Sequence, residues 1–207
     1  MIRAAAAEKL ECAADEVEID AGMARTRDGR SLALAALAGL CAEASFASSK
    51  RTYSYGAHAA HVAVDPRTGH VELIDYVAVE DVGRIINPLT LHGQAVGAVV
   101  QGLGGAFLEH LIYDEDGQLL TGSFADYLMP TASDFPSIRA VAVEEWPSPN
   151  NPLGAKGAGE GGIIPVGGVI ANAVAAALAP LGIVPRELPL SPARVWELIN
   201  NATAHKA

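Results

Sequence analysis

Glu160 is the residue of this sequence whose surroundings best suit chemistry. It lies near the end of residues 149–162, a run rich in glycine whose one other charged side chain is Lys156. Glycine permits tight turns and lets a ligand approach the backbone closely, but it weakens any helix or strand that contains it. The run therefore predicts a shaped pocket that holds one carboxylate. Composition alone leaves open the alternative of a glycine-rich surface turn with a solvated glutamate.

A second pattern combines glutamines with glycines on a predicted helix over residues 89–110. Gln94 and Gln101 are seven positions apart, which places both on one face of that helix. Gly97 and Gly104 lie nearby and lower the helix propensity. A helix that accepts this cost is favoured where something approaches it closely, and the partner is either a ligand or a second helix.

Local context argues against several other kinds of site. Residues 157–162 match Gly-x-Gly-x-x-Gly, but prolines flank them, so they do not lead from a strand directly into a helix as a dinucleotide-binding loop does. His58 and His61 are three positions apart in an alternating strand, so they point to opposite faces and cannot easily share a metal ion. We therefore predict no metal held directly by protein side chains.

Composition limits the function classes further. Half of the 207 residues are hydrophobic and 18% are charged, which is typical of a globular protein. The net charge of −10 argues against nucleic acid and anionic lipid as partners. Two cysteines, Cys12 and Cys41, favour a reduced, cytoplasmic protein. The N-terminus resembles no signal peptide, and proline and glycine interrupt the uncharged residues 163–185, so we expect no membrane span.

The pattern along the chain predicts an α+β fold, with a small N-terminal α/β portion over residues 1–46 and a larger portion over residues 47–207 that carries the glycine-rich loop. In the smaller portion, a helix ends near Leu10, a strand covers residues 17–19, and Ser31 caps a second helix that ends near Ala44. The larger portion is predicted to contain a hairpin of residues 58–65 and 71–80, the helix 89–110, a strand at 138–144, and helices at 169–178 and 192–200.

Three motifs resemble those of the molybdenum hydroxylases, the family of xanthine dehydrogenase, aldehyde oxidoreductases and carbon monoxide dehydrogenase. They are Asp81-Val82-Gly83-Arg84-Ile85-Ile86-Asn87-Pro88, Gly93-Gln94-x-x-Gly97-x-x-x-Gln101-Gly102-Leu103-Gly104, and Asn151-Pro152-Leu153-Gly154-Ala155-Lys156-Gly157-Ala158-Gly159-Glu160. The resemblance covers nearly the whole chain and is to the C-terminal part of the molybdopterin-binding large subunit. It implies mixed sheets packed with helices. The loop is most similar to the bacterial branch, which carries molybdopterin cytosine dinucleotide.

The resemblance implies roles for single residues. The family's active-site glutamate ends the motif Gly-x-Lys-Gly-x-Gly-Glu, a position that Glu160 holds here. In the family this carboxylate is the general base toward a molybdenum-bound hydroxyl that attacks the carbon of an aldehyde or N-heterocycle, with water as the oxygen source. Gln94 matches a glutamine that hydrogen-bonds the pterin. Weaker candidates for cofactor or loop-shaping contacts are Gln101, Lys156, Gly157 and Gly159.

The resemblance also implies partners. The family's large subunit is much longer, so we expect this chain to need the remainder of that subunit, or a separate chain that supplies it. FAD and an iron–sulfur (2Fe–2S) cluster are expected on partner subunits, and the substrate is a small molecule. The alternatives are a non-catalytic remnant or scaffold subunit of the same family and, less favoured, an independent dinucleotide-binding module.

Overall fold

The computed structural model describes residues 1–41, 43, 45–48, 50–135 and 138–204. Within these residues the chain divides into two compact units, Met1–Ala47 and Ser48–Ala207. Each unit has its own cluster of buried apolar side chains. Among the described residues, none of the helices combines the length and the apolarity that a membrane crossing requires.

The first unit packs one helix on a small antiparallel sheet. Helix α1 (Ile2–Leu10) precedes strands β1 (Val17–Asp20), β2 (Met23–Thr26) and β3 (Ser31–Ala33), which lie in that order in the sheet. The predicted first helix and first strand are confirmed. The core of the first unit consists of Ala6, Ala7, Leu10, Val17 and Ala24.

The second helix predicted for this unit is wrong. Ser31 does not cap a helix but pairs with Arg25 in the sheet, and only a short 3-10 turn, Leu34–Leu37, follows. The misleading signal was the apolar run after Ser31. Gly29, with φ of 94°, closes the turn that joins β2 to β3, and Asp-Gly is a hairpin signal that outweighs helix propensity here. The predicted end at Ala44 lies outside the described residues.

The second unit contains a mixed three-stranded sheet and three helices. Its elements are β4 (Tyr55–Val64), β5 (Val71–Asp81), α2 (Pro88–Phe107), β6 (Ile138–Val143), α3 (Val166–Ala177) and α4 (Pro192–Ala204). Strand β5 is central, antiparallel to β4 and parallel to β6. The predicted hairpin, long helix, later strand and two closing helices are therefore confirmed, and the fold is α+β.

One face of this sheet is covered by α2 and α3, which also pack on each other. Val99 and Leu103 from α2 meet Ile170 and Val174 from α3 and Tyr76 from β5 in one core cluster. Full burial of one such aliphatic side chain contributes about 1.5–3 kcal/mol. The packing fixes the start of both helices relative to the sheet.

The strand directions bring the sequence motifs to one edge of the sheet. Parallel strands β5 and β6 both end at this edge, at Asp81 and Val143, and antiparallel β4 begins there at Tyr55. The connection from β5 to α2 and the connection from β6 to α3 therefore leave from the same edge. These two connections carry the first and third motifs.

Candidate functional site

The glycine loop, residues 149–162, is anchored to the connection that follows β5. Gly83 and Ala155 form an isolated β-bridge, in which the Arg84 amide donates to the Gly154 carbonyl at 3.0 Å and the Lys156 amide donates to the Val82 carbonyl at 2.9 Å. Gly83 and Gly154 have φ of 60° and 71°, the left-handed region that favours glycine. The loop is therefore fixed at its middle by backbone hydrogen bonds.

Lys156 is held inside the loop by a buried ion pair. Its Nζ lies 2.7 Å from Oδ1 of Asp81, and the two side chains are 8% and 4% exposed. The same Asp81 oxygen accepts the Gly83 amide at 2.9 Å, and the ammonium lies 4.8 Å from the ring centroid of Tyr55. The hydrogen bond from Lys156 lowers the pKa of Asp81 below its ordinary value. The ammonium thus ties the loop to the end of β5.

Helix α2 brings Gln94 to the glycine loop. Asn87 caps the helix by accepting the Leu89 and Thr90 amides at 3.1 and 3.2 Å, and Pro88 follows in the first helical position, where its missing N–H is harmless. The side-chain amide of Gln94 donates to the Gly159 carbonyl at 2.7 Å. Gln101 is exposed two turns further on, and no hydrogen bond of its side chain occurs within the described residues.

Glu160 lies on one side of the loop, in a cleft of about 440 Å³. The Glu160 cleft is lined by Gly157, Gly159 and Gly161 of the loop and by Tyr55, His58 and Glu80 of the sheet. The Glu160 side chain is exposed, while its carbonyl accepts the Ile163 and Ile164 amides at 3.1 and 3.2 Å. The backbone of the residue is therefore fixed in a turn that leads to α3.

A second cleft of about 410 Å³ lies on the other side of the loop. This Gln94 cleft includes Arg84, Asn87, Gln94, Lys156 and Gly159. Gly159 lines both clefts, so the glycine loop forms a wall between them. The structure thus separates the predicted site residues: Gln94 and Lys156 face one cleft, Glu160 and Gly157 face the other, and Gln101 lines neither.

A buried polar cluster at the floor of the Glu160 cleft was missed at the level of sequence. Nδ1 of His58 lies 2.9 Å from the Tyr76 hydroxyl, and its Nε2 lies 3.4 Å from Oε1 of Glu80. Burial lowers the pKa of His58, and the charge of Glu80 opposes this shift. Burial also raises the pKa of Tyr76. The alternation of Tyr76, Ala78 and Glu80 toward the core was the available signal, because it places a glutamate on an apolar face.

The expected separation of the two histidines is confirmed. The His58 side chain is enclosed, while His61 is exposed on the other face of β4. Among the residues that the structure describes, no group of three or more histidine, cysteine, aspartate or glutamate side chains could hold a metal ion.

Comparison with known proteins defines the class. The profile of the molybdopterin cofactor-binding domain family matches residues 1–136, and the chain belongs to this family, which lies in the large subunits of molybdenum hydroxylases. The gamma subunit of the 6-hydroxypseudooxynicotine dehydrogenase complex of Paenarthrobacter nicotinovorans is 37% identical over 94% of this chain and 26% of its own length. The nicotine 6-hydroxylase large subunit of the same organism is 44% identical over 71% of this chain and 18% of its own length.

Solved structures agree with these relatives. Reconstituted CO dehydrogenase from Oligotropha carboxidovorans superposes on 99% of this chain with a TM-score of 0.88 at 27% identity. Quinoline 2-oxidoreductase from Pseudomonas putida 86 covers 96% of the chain with a TM-score of 0.86 at 33% identity. The chain spans about a quarter of the length of these proteins.

Proposed function

We propose that this chain supplies the general base of a molybdenum hydroxylase, with Glu160 as that base. The observation that carries the proposal is the placement of Glu160 in an open cleft, on a loop tied to β5 through Lys156 and to α2 through Gln94. A base must be held within hydrogen-bond reach of the proton that it removes. Because the loop is attached at two places, the backbone that carries the exposed Glu160 carboxylate is held in position.

The open glycines of the loop fit a cofactor. A Cβ placed on Gly157 or Gly159 would meet nothing within 4 Å, and neither residue has a positive φ. Neither internal packing nor backbone conformation therefore requires glycine at these positions, whereas close approach of a flat ligand does. We assign Gly157, Gly159 and Gln94 to molybdopterin, in its cytosine dinucleotide form, and Lys156 to shaping the loop. When bound, the molybdenum carried by molybdopterin would supply the two-electron acceptor for oxidation of the substrate carbon.

Glu160 then accepts the proton of the water-derived hydroxyl that attacks the substrate carbon. Such a base contributes on the order of a hundred- to ten-thousand-fold in rate. We propose an N-heterocycle or an aldehyde as the substrate class, and the names of nicotine 6-hydroxylase and quinoline 2-oxidoreductase support the N-heterocycle. Glu160 transfers the proton to solvent before the next turnover.

The site requires further chain to enclose it. Glu160 is exposed here, and both clefts have apolar borders that remain exposed, with Ile164 at 77% and Ile86 at 63%. Because the chain spans about a quarter of its relatives, we propose that the remainder of a large subunit, or a separate chain equivalent to it, covers these borders. FAD and the iron–sulfur cluster are assigned to partner subunits.

The test is Glu160→Gln in the assembled complex. The substitution keeps the shape of the side chain and removes its ability to accept a proton. We expect kcat to fall about a hundredfold or more, while molybdenum content is unchanged. Glu145→Gln, an exposed glutamate on the connection after β6, is the matched control. Unchanged turnover in Glu160→Gln would sink the catalytic role and favour a scaffold subunit.

A further inference from the structure

The buried cluster beneath the Glu160 cleft has one hydrogen placement that pairs its donors with acceptors. The Tyr76 hydroxyl donates to Nδ1 of His58, and the proton of neutral His58 is then on Nε2, facing Oε1 of Glu80. The opposite tautomer would turn the lone pair of Nε2 toward the carboxylate. Both Nε2 and Oε1 are buried and neither makes a hydrogen bond within the described ranges, so their 3.4 Å contact is what compensates their burial, and the opposite tautomer is the costlier one.

The chain of polar groups ends against the turn that carries Glu160. A Cβ placed on Gly161 would collide with Oε2 of Glu80, so the carboxylate lies directly on the backbone of the residue after Glu160. On the other side, a Cβ on Gly162 would lie 2.6 Å from the Ala95 carbonyl of α2. The two residues after Glu160 are therefore seated between β5 and α2.

We propose that Glu80 is a positioning residue for Glu160: its carboxylate, oriented by the His58 imidazole and the Tyr76 hydroxyl, supports Gly161 and so fixes where the Glu160 side chain begins. This inference rests on the proposed role of Glu160 as the base. Glu80 does not touch the reacting atoms. It acts through Gly161, and a displacement of the base by about 1 Å can cost a hundredfold in rate.

Tyr76 and His58 contribute differently to the positioning of Glu80. Tyr76 is fully buried in the core, so its ring is fixed and its hydroxyl offers His58 a stationary donor. His58, with a side chain 1% exposed, is kept neutral by burial, which lowers its pKa. The other titratable side chains lining the cleft are Tyr55 and Glu160 itself.

The first test uses nitrogen-15 NMR of the full chain to observe His58 and Gly161 directly, without measuring turnover. We expect His58 to be neutral at pH 7, with its proton on Nε2. Glu80→Gln removes the charge that opposes the effect of burial, so the pKa of His58 falls further and the Gly161 amide resonance moves. Glu72→Gln, on the exposed face of the same strand, leaves both unchanged. A wild-type His58 that carries its proton on Nδ1, or a Gly161 amide unmoved by Glu80→Gln, would overturn the proposal.

Tyr76→Phe keeps the test decisive if Glu80→Gln does not fold. The variant retains the buried ring and removes only the hydroxyl that contacts Nδ1 of His58. We expect His58 to keep its proton on Nε2, because the Glu80 carboxylate still faces that nitrogen, and the Gly161 amide to shift because the imidazole that orients Glu80 has lost one contact. An unmoved Gly161 amide in a folded Tyr76→Phe variant would contradict the proposed connection.

The second test is steady-state kinetics of the assembled complex. We expect Glu80→Gln to lower kcat about ten- to a hundredfold, with KM and molybdenum content unchanged. A loss of molybdenum with normal kcat per bound metal would mean a structural role only, and would overturn the proposal. Failure of the proposed function can be distinguished from failure of this inference. If Glu160 is not the base, Glu160→Gln retains turnover, whatever effect Glu80→Gln has on His58 and Gly161.

Discussion

Individual glycines in the glycine loop and in the connection after β5 have different roles, and their surroundings distinguish these roles. Gly83 and Gly154 need a left-handed backbone, and Gly161 and Gly162 need the absence of a side chain because protein atoms lie where one would be. At Gly157 and Gly159 the backbone is not left-handed, and no atom of the described residues lies where a side chain would begin. The last two are therefore the glycines whose role is explained by a ligand.

Alanine at Gly161 and at Gly159 should have opposite consequences. Gly161→Ala forces the turn away from Glu80, so we expect a lower midpoint of thermal unfolding for the chain. Gly159→Ala adds a methyl group to open space, so the midpoint stays within about 2 °C, whereas molybdenum content of the assembled complex falls. Calorimetry and metal analysis check the two results. Equal unfolding midpoints for both variants would contradict the seating of Gly161 on Glu80.

At the residue scale, the sequence was informative where one local pattern contained the signal. Glu160 is recognisable because its neighbours in sequence are glycines. Glu80 and His58 are not, because each is an ordinary member of an alternating strand. They meet only through the register of β4 and β5, in which His58 is opposite Ala78 and Gly56 is opposite Glu80. Strand register depends on long-range packing, which the local pattern does not specify.

The Asn87 cap fixes the start of helix α2, and the start of this helix positions Gln94. We expect Asn87→Ala to lower the free energy of unfolding by about 1 kcal/mol, because the Leu89 and Thr90 amides lose their acceptor. Asn87→Asp retains an acceptor at this position and serves as the control. Urea denaturation of the chain measures both. A stability for Asn87→Ala equal to that of Asn87→Asp would show that the cap contributes nothing.

The pair of Asp81 and Lys156 makes the attachment of the loop sensitive to acid. The pKa of Asp81 is lowered from the ordinary 3.8, so the folded state binds its proton less readily than the unfolded state. The resulting stabilisation is complete above pH 3.8 and is lost as pH falls below it through the folded-state pKa. We expect Lys156→Met to be less stable at pH 7 and to lose less stability between pH 4 and 2 than the wild type.

Thermal unfolding followed across that pH range measures this difference. Lys50→Met, which removes an exposed lysine, is the control and should follow the wild-type curve. If Lys156→Met and wild type lost stability in parallel below pH 4, the ion pair would not be the cause of the acid sensitivity.

At the element scale, length decided what could be predicted. The β4–β5 hairpin, α2 and α4 are long enough for their periodicity to identify them. Strands β2 and β3 have four and three residues, too few to show a period, and the alanine-rich residues after Ser31 favoured a helix instead. Pairing across the Gly29 turn decides their structure.

Across the whole molecule, large apolar side chains remain exposed near the candidate site. Leu89 at the start of α2 is 82% exposed, and Ile164 and Ile86 border the two clefts. Isolated exposed apolar residues are ordinary, but several around one candidate site suit a surface that binds protein. The chain covers about a quarter of the length of its relatives, and we propose that further polypeptide covers this edge.

The state of the purified protein should therefore depend on what accompanies it. Tagged and isolated gently from its own cells, the chain should carry molybdenum near one per chain, together with further polypeptide. Produced alone in cells that make the cofactor, it should retain little, because both clefts are open and Glu160 is exposed. Metal analysis with mass spectrometry of the isolated material measures both. Full molybdenum content in the chain alone would show that these two clefts suffice to hold the cofactor, and the proposed need for covering polypeptide would then be wrong.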